Sequence, residues 1–383
     1  MSTDETFMKL AARLGHRALG MTAENPPVGC VIVKDGAIVG LGWTQRGGRP
    51  HAETEALRMA GESARGATAY VTLEPCAHHG RTPPCAEALA AAGIRRVVAA
   101  FQDPDPRVSG AGFAILRRSG IARVVAAFED PDPRVSGDGF AILRRAGIAV
   151  DLDLGAPEAY PDLAGFLTRI SKKRPYVALK LALSADGKIA QAPGMRTQIT
   201  GPEVKARTHL LRAQADAILV GLGTVLADDP DLTCRLPGLE QRSPIRIVAD
   251  SHLAVPKTSR LVTSARAVPV WLLALEAGTF APGVDVLTCR PDRQGRVDLA
   301  EALAKLGERG VNRVLAEGGA RLARGLLETG LVDELLLFRS PKVLGPKGVD
   351  GFGGLPLDQV MAAFRVDREE RLGDDVLSVY VRA

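Results

Sequence analysis

Residues 51–53 read HAE and residues 72–85 read TLEPCAHHGRTPPC. These two stretches supply one imidazole and two thiols, from His51, Cys76 and Cys85, that can meet around a metal ion. Zinc in a catalytic site takes three protein ligands of this kind and keeps its fourth position for water. Two thiolates and a neutral imidazole balance the charge of the ion, yet the ion still lowers the pKa of a bound water towards 7. The sequence therefore predicts a catalytic zinc site.

Glu53 lies two residues after His51 and is not needed as a ligand. A carboxylate at this position can take a proton from the water and deliver it to a ring nitrogen and to the departing ammonia. The order His-x-Glu, Pro-Cys, Cys is the signature of zinc deaminases that act on cytosine or adenine, and here a proline precedes both Cys76 and Cys85. The residues predict a zinc hydrolase that attacks an amidine carbon, with Glu53 as its catalytic residue.

The spacing of the two cysteines narrows this prediction. Eight residues, 77–84, lie between them, whereas ordinary nucleoside and tRNA deaminases place two residues there. One glycine and two prolines in this insert indicate a shaped loop, not a continuous helix. His78 and His79 are tempting as extra ligands, but a fourth protein ligand would close the catalytic position. We expect both to line the mouth of the pocket.

The chain has 383 residues, enough for two or three domains. Its composition, 46% hydrophobic and 24% charged, is typical of a soluble globular protein. The net charge is +5, but the basic residues are scattered without interleaved aromatic residues, so a nucleic-acid surface is not indicated. A modest net positive charge is equally consistent with a protein that binds phosphorylated small molecules. The absence of an apolar stretch of about 18 residues and the polar N-terminus predict neither a membrane span nor a signal peptide. Scattered cysteines fit a reduced, cytoplasmic protein.

The first half alternates helical and strand patterns, as an α/β domain does. Helical periodicity over residues 5–20 is followed by two β-rich runs around the turn Lys34-Asp35-Gly36. This half, residues 1–150, is predicted to be the zinc deaminase domain. Within it we expect helices at residues 51–60 and 85–92 and strands at residues 69–73 and 97–101.

A tandem repeat interrupts this half. Residues 94–120 and 121–147 differ at only four of 27 positions. Each copy has the pattern of a strand, an Asp-Pro-Asp-Pro turn, a Val-Ser-Gly loop and a short amphipathic helix, which is one β-loop-α unit. Two units do not make a solenoid, so we expect a segmental duplication without a function of its own. Either a parallel sheet adds the second copy as an extra strand with its covering helix, or one copy loops out.

Residues 151–175 lose the strict alternation, and we assign them to a linker segment. Within it we expect a last strand, a short helix near residues 163–169 and a basic stretch at residues 172–175, where we place the domain boundary. The second domain, residues 176–383, restarts with a strand at residues 176–182. Later in it, Glu317-Gly318-Gly319 precedes an apolar helix at residues 320–329. Backbone amides at such a helix start can bind phosphate, although a simple tight turn explains the glycines as well. No complete G-x-G-x-x-G fingerprint follows the first strand of this half.

Motifs along nearly the whole chain match those of a known family. They are NPPVGCVIV (25–33), HAE (51–53), TLEPCAHHGRTPPC (72–85), LK with SADGK (179–188), LADDP (226–230), PIRIV (244–248), EGG (317–319), LVDEL (331–335) and PKVLG (341–345). By these motifs, in this order, the sequence resembles the bifunctional riboflavin-biosynthesis deaminase/reductase (RibD) family. That family normally carries a single copy of the repeated unit.

The resemblance implies an α/β fold in both halves. The first would be a cytidine-deaminase-like three-layer α/β/α domain, and the second a dihydrofolate-reductase-like α/β domain. The first would use Zn2+ to deaminate 2,5-diamino-6-(5-phosphoribosylamino)pyrimidin-4-one. The second would use NADPH to reduce the ribosyl group and give 5-amino-6-(5-phosphoribitylamino)uracil. A homo-oligomer formed through the reductase domain is also expected.

The resemblance also assigns site residues. In the deaminase, Asn25 and Arg81 would orient the substrate. In the reductase, the NADPH contacts would be Ala182, Gln198, Thr224, Asp228, Ser251 and the run Gly319, Ala320, Arg321, Leu322, Ala323, Arg324, Gly325. The reductase substrate contacts would be Lys180, Arg196, Arg212, Leu232, Arg235 and Glu317, of which Arg212 and Arg235 would suit the ribose phosphate.

One stretch departs from the family pattern. Where the family has Ser-x-Trp-Ile-Thr, this chain has RTQIT at residues 196–200. An aromatic surface is thereby lost, and a positive charge replaces a hydroxyl. This departure motivates an alternative, a deaminase whose degenerate reductase domain serves oligomerisation. A third alternative, a non-catalytic nucleotide-binding protein with a structural zinc, requires four protein ligands.

Overall fold

The computed structural model describes residues 3–77, 83–101, 115–116, 123–128, 149–152 and 159–383, with the strands at 123–128 and 149–152 given as backbone only. The chain divides into two compact units, Met1–Lys173 and Arg174–Ala383. Each unit encloses its own hydrophobic core. Within the described ranges, no helix is long and apolar enough to span a bilayer.

The first unit is built on a mixed sheet. Its described strands are β1 (Gly29–Lys34), β2 (Ala37–Trp43), β3 (Thr68–Val71), β4 (Arg96–Phe101), β5 (Arg123–Phe128) and β6 (Ala149–Leu152), in the order β2-β1-β3-β4-β5-β6. Strand β1 is antiparallel to both neighbours, and the pairs from β3 to β6 are parallel. The predicted hairpin between β1 and β2 is confirmed. Asp35 and Gly36 turn it with φ of 50° and 79°, as a two-residue hairpin requires.

The described helices of the first unit are Thr3–His16, Ala52–Ala60, Cys85–Ala91 and Tyr160–Lys172. Strand β1 is buried on both faces, as expected of a strand covered on either side. Two glycines let helices approach the sheet closely. A Cβ on Gly29 would lie 1.9 Å from the carbonyl oxygen of Ala11, and one on Gly42 would lie 2.1 Å from that of Ala52. Glycine at position 42 therefore helps to set the helix that follows His51.

Part of the segment expected to be a linker, residues 151–175, lies in the hydrophobic core. Helix Tyr160–Lys172 occupies most of its second half. Its side chains Leu163, Phe166 and Leu167 are buried in the core of the first unit. This part of residues 151–175 is therefore a packed element of the first unit, because its apolar face needs a partner that a free linker would not provide.

The second copy of the repeat contributes a strand to the sheet. Strand β5 lies between β4 and β6, and equivalent positions of the two copies face each other, with Val97 opposite Val124 and Phe101 opposite Phe128. The prediction that a parallel sheet can add the unit as an extra strand is confirmed for the strand. The predicted turns and loops of both copies, and most of their helices, lie outside the described residues.

The second unit holds a longer sheet with a parallel centre. Its described strands run in the order β12-β11-β10-β9-β13-β7-β14-β17-β16. They are parallel except for the antiparallel pairs β14–β17 and β16–β17. The strand bounds are β7 (Tyr176–Leu183), β9 (Ala217–Gly221), β10 (Ile245–Ala249), β11 (Val270–Ala274), β12 (Val284–Thr288), β13 (Arg313–Ala316), β14 (Glu334–Arg339), β16 (Phe364–Leu372) and β17 (Asp375–Arg382). A separate ribbon pairs β8 (Lys188–Ala190) with β15 (Val349–Asp350).

Helices connect the parallel strands of this unit. The described helices are Pro202–Ala213, Leu222–Asp228, Arg260–Thr263, Leu299–Glu308, Ala320–Glu328 and Leu357–Met361. Parallel neighbours need such crossovers, and their carboxyl ends meet at one edge of the sheet. Strands β7, β13, β9 and β10 are neighbours, so residues that follow them gather at this edge.

Candidate functional site

The predicted zinc ligands of the first unit converge. His51 caps the start of helix Ala52–Ala60, and Cys85 begins helix Cys85–Ala91. The Nδ1 atom of His51 lies 3.4 Å from Sγ of Cys85 and 3.7 Å from Sγ of Cys76. All three ligand atoms lie within 4.8 Å of one another. Helix starts thus direct two of the three ligands to one point.

These distances fit zinc. With Zn–S near 2.3 Å and Zn–N near 2.1 Å, tetrahedral geometry separates a nitrogen and a sulfur ligand by about 3.6 Å. The two observed nitrogen–sulfur distances lie on either side of that value. The backbone N–H of Cys85 also donates to Sγ of Cys76 at 3.3 Å, as second-shell donors do to ligating thiolates. Among the described residues, these three ligands converge without a fourth protein ligand.

The two thiols share one negative charge. A hydrogen bond from Cys85, supported by His51 and opposed by burial, lowers the pKa of Cys76 to about 4. The pKa of Cys85 is raised, first by donating its hydrogen to Cys76 and then by burial. A metal ion that binds both sulfurs must displace that hydrogen, so its binding releases a proton.

Glu53 is buried beside this ligand set, with 4% of its surface exposed. Burial raises the pKa of its carboxyl to about 7, and the charge of Cys76 adds to the increase while His51 opposes it. A carboxyl group with a pKa near neutrality can both accept and return a proton. This environment suits Glu53 for proton transfer.

The other predicted residues of this site are only partly described. The side chain of Asn25 lies half-buried against Gly48, where a Cβ would come within 2.1 Å of its Nδ2. Gly48 also has a φ of 85°. Glycine therefore avoids both the contact with Asn25 and the backbone strain that a side chain would cause at this position. The buried Nε2 of His51 finds no hydrogen-bond partner in the described part of the chain. Arg81, with the neighbouring histidines of the insert, lies outside the described residues.

In the second unit, one open cleft of about 2340 Å³ gathers the predicted reductase residues. It runs along the carboxyl ends of β7, β13, β9 and β10. Of the predicted cofactor and substrate contacts, every one except Ala323 lines it. Ala323 is fully buried in the core instead, because it lies on the inward face of helix Ala320–Glu328.

A charged triad lies at the β7 side of this cleft. The guanidinium of Arg212 donates from Nε and Nη2 to the two carboxylate oxygens of Glu317, at 2.7 and 2.9 Å. Burial acts to raise the pKa of Glu317, but Arg212 brings it below its ordinary value. Burial lowers the pKa of Lys180, with Arg212 acting in the same direction and Glu317 opposing. Lys180 is therefore a buried amine whose proton is held less tightly than usual.

The start of helix Ala320–Glu328 lies at the middle of the cleft. Gly319 precedes the helix, and a Cβ there would lie 3.9 Å from Oγ1 of Thr224. A Cβ on Gly318 would come within 2.5 Å of the side chain of Leu322. No acidic residue occupies the first turn, which includes Arg321. Free amides, the helix dipole and this arginine make the helix start suited to phosphate.

Two cleft features were missed at the sequence level. His209 lines the cleft one helical turn before Arg212, and burial followed by the charges of Arg212 and Arg235 lowers its pKa. Its Nδ1 accepts the backbone N–H of Arg235 at 3.2 Å. The spacing of three residues from Arg212 could have indicated it. We call residues 291–298 the Arg293 loop. All of its residues except Gly295 also line the cleft, and no sequence motif indicated them.

The stretch that departs from the family pattern borders the same cleft. Arg196 and Gln198 are exposed and line it. Arg196 is close enough to Asp228 to oppose the increase in its pKa that burial causes. The backbone oxygen of Gln198 accepts a hydrogen bond from Lys342 at 3.1 Å. The substituted residues thus remain at the cleft, where they can contact a ligand.

Comparisons with known proteins find matches for both units. Residues 1–101 match the family described as the cytidine and deoxycytidylate deaminase zinc-binding region, and residues 175–378 match the RibD C-terminal domain. The riboflavin biosynthesis protein RibD of Escherichia coli (strain K12) is 42% identical over 389 residues, which cover 97% of this chain and 98% of that protein. Its counterpart in Aquifex aeolicus (strain VF5) is 38% identical and covers 99% and 98%.

Solved structures are similar over the full length. RibD of Acinetobacter baumannii is 34% identical with a TM-score of 0.80, covering 100% of this chain and 99% of that one. A Thermotoga maritima protein described as a diaminohydroxyphosphoribosylaminopyrimidine deaminase/5-amino-6-(5-phosphoribosylamino)uracil reductase has the same identity, TM-score and coverage. The fold is thus a cytidine-deaminase-like α/β domain followed by a RibD-type reductase domain. The chain belongs to the RibD family of bifunctional riboflavin-biosynthesis enzymes, which combine a zinc-binding deaminase domain with a reductase domain.

Proposed function

We propose that the first unit hydrolyses the amino group of 2,5-diamino-6-(5-phosphoribosylamino)pyrimidin-4-one. We further propose that the second unit reduces the ribosyl group of the product with NADPH, to give 5-amino-6-(5-phosphoribitylamino)uracil. The observation that carries the first step is the buried carboxyl of Glu53 beside three convergent ligands, His51, Cys76 and Cys85. The printed description of the Thermotoga maritima relative names both activities for that protein.

In the first step, Glu53 moves the protons. Zinc held by the three ligands would supply the positive charge that acidifies a water molecule. The carboxylate of Glu53 takes a proton as the water oxygen bonds to the ring carbon, and it passes this proton to the adjacent ring nitrogen. Glu53 then moves the proton of the newly formed hydroxyl to the amino group, the C–N bond breaks, and ammonia leaves behind a carbonyl. The buried position of Glu53 beside the three ligands suits its carboxyl to both transfers.

Substrate orientation in the first unit is assigned to Asn25 and Arg81. Asn25 can offer an amide to the polar edge of the pyrimidine. Arg81 can pair with the phosphate in a bidentate manner. Both roles follow from the family motif.

In the second step, the triad at the β7 side of the cleft handles the proton. NADPH, when bound, would supply the hydride chemistry. Lys180, whose pKa burial lowers, gives a proton to the oxygen released as the ribosyl ring opens. The ionised carboxylate of Glu317 keeps Lys180 in position, and Arg212 holds Glu317 by two hydrogen bonds. Arg235, nearly half-exposed at the cleft, is proposed to contact the ribose phosphate.

The cofactor would lie along the rest of the cleft. The helix start at Gly319, together with Thr224 and Arg321, is proposed to hold the pyrophosphate. A homo-oligomer formed through the second unit and a cytoplasmic location complete the proposal, both from the family resemblance.

A deaminase with a degenerate reductase domain is the second candidate. Arg196 and Gln198 favour it, since an aromatic surface is missing there. The charged triad supports an intact reductase, because Lys180, Arg212 and Glu317 all line the cleft, and ionisable groups with shifted pKa values in a cleft are typical of functional sites. NADPH-dependent formation of the ribityl product from the deaminated intermediate would eliminate this candidate. A structural zinc site would need four protein ligands, and the described part of the chain brings together three, beside the buried carboxyl of Glu53.

A further inference from the structure

The β10 end of the cleft has no role in the chemistry proposed above. The cleft follows four neighbouring strands in the order β7, β13, β9 and β10. Lys180 lies on β7, and the helix start at Gly319 follows β13. A dinucleotide with its nicotinamide near Lys180 and its pyrophosphate at Gly319 would therefore extend its adenosine towards β10. Ser251 follows β10 at that end.

The Arg293 loop closes this end of the cleft. The backbone N–H of Val297 donates to Oγ of Ser251 at 3.2 Å, which joins the loop to the end of β10. On the other side, a Cβ on Gly325 would lie 3.1 Å from the side chain of Leu299, just after the loop. The loop therefore spans from β10 to the helix that starts at Gly319.

The arginines at the β10 end of the cleft differ in whether their guanidinium groups are paired with a carboxylate. Arg296 donates to Asp292 from Nε and Nη2, at 3.2 and 3.0 Å, and Arg260 pairs with Asp231 at 3.1 Å. The side chain of Arg293 is exposed and lines the cleft. It forms no hydrogen bond or ion pair with any residue in the described ranges. Its guanidinium is thus available to an anion in the cleft.

An acidic residue also lies at this strand end and bears on the choice of cofactor. A carboxylate at the end of a strand can bind the ribose 2′-hydroxyl of NAD, whereas a nearby arginine accommodates the 2′-phosphate of NADP. Here Asp250 is 1% exposed, and its Oδ2 accepts the backbone N–H of Val255 at 2.8 Å. Its other oxygen, Oδ1, has no hydrogen-bond partner among the described residues, but it is buried as well. The guanidinium of Arg293, in contrast, is exposed at the cleft.

We propose that Arg293 binds the 2′-phosphate of NADPH, with the hydroxyl of Ser251 as a second donor, and that it sets the preference of the reductase for NADPH over NADH. The inference rests on the proposed reductase function. A charge-assisted, bidentate contact between guanidinium and phosphate supplies both affinity and geometric specificity.

Direct binding tests this inference. The full-length protein is titrated with NADPH and with NADH, and the dissociation constants are read from nicotinamide fluorescence. We expect Arg293→Gln to raise the dissociation constant for NADPH about tenfold or more and to leave that for NADH within about twofold. Arg293→Lys should restore part of the NADPH affinity. The matched control is Arg365→Gln, an exposed arginine on the edge strand β16, outside the cleft.

The outcomes separate this inference from the function on which it rests. Wild-type protein that prefers NADPH, together with an Arg293→Gln variant of unchanged preference, overturns the role of Arg293 and leaves the reductase proposal intact. Equal affinity of the wild type for the two cofactors also overturns it, and would point to Asp250. Wild-type protein that binds neither cofactor contradicts the reductase proposal itself.

Discussion

The two units build their sites in opposite ways. The zinc constellation of the first unit draws its ligands from a short span of chain, residues 51–85, and two of them lie at helix starts. The cleft of the second unit draws its residues from the ends of four strands, so that partners such as Arg212 and Glu317 are 105 residues apart in sequence. The first site is compact and buried, whereas the second is long and open. A substitution in one site should therefore impair the activity of that site and leave the activity of the other unchanged.

The largest effect should come from removing a zinc ligand. We expect Cys85→Ser to lose bound zinc and all measurable deamination, because two ligands hold zinc far more weakly than three. The second unit should still reduce the deaminated intermediate. Metal analysis by mass spectrometry and both activity assays measure this. Cys289→Ser, at a buried thiol of the second unit, is the control and should keep one zinc per chain.

Removing the proton carrier should separate metal binding from catalysis. We expect Glu53→Ala to slow deamination by about 1000-fold while the zinc content stays unchanged. Glu55→Ala, on the same helix but paired with Arg58 on the surface, is the control. Full deaminase activity in Glu53→Ala would show that the assigned mechanism is wrong.

The converse experiment acts on the second unit. We expect Lys180→Met to slow the NADPH-dependent step by about 100-fold and to leave deamination unchanged, since Lys180 belongs to the cleft alone. Lys347→Met, at an exposed position outside the cleft, is the control. Loss of both activities in Lys180→Met would contradict the independence of the two sites.

The smallest effect is expected from deleting the second copy of the repeat. Strands β4 and β5 have the same sequence, RVVAAF. After deletion of residues 121–147, β6 can pair with β4 in the register it now forms with β5. Deaminase activity should stay within about threefold of that of the full chain, with a cooperative thermal transition. Insoluble protein would refute the view that the duplication is neutral.

These differences also explain what the sequence could predict. The ligands and Glu53 form a motif in which local spacing encodes geometry, so the residues alone indicated the zinc site. The hairpin and the helices that carry the ligands followed from periodicity and turn chemistry. The reductase residues came from the family resemblance, because strand order, which brings Lys180 beside Glu317, is not encoded locally. The Arg293 loop was missed for the same reason, since it joins the cleft through its contact with Ser251.

In two places, packing against the core changes an expectation that rested on the sequence pattern alone. Ala323 was assigned to the cofactor because it lies within a contiguous run, yet a helix turns every third or fourth residue inward, and this one is fully buried. The short helix expected near residues 163–169 is confirmed as Tyr160–Lys172, but it packs into the core of the first unit, although its segment had been assigned to a linker. Both cases depend on which face of a helix meets the core.

The most direct test of the account gives the purified protein the diaminopyrimidine substrate, with and without NADPH, and follows both products. Without NADPH, the account predicts release of ammonia and accumulation of the deaminated ribosyl intermediate. With NADPH, it predicts oxidation of the cofactor and conversion to the ribityl product. Deamination that proceeds equally in both reactions without any ribityl product would contradict a working second site, and absence of ammonia from the zinc-loaded protein would contradict the account as a whole.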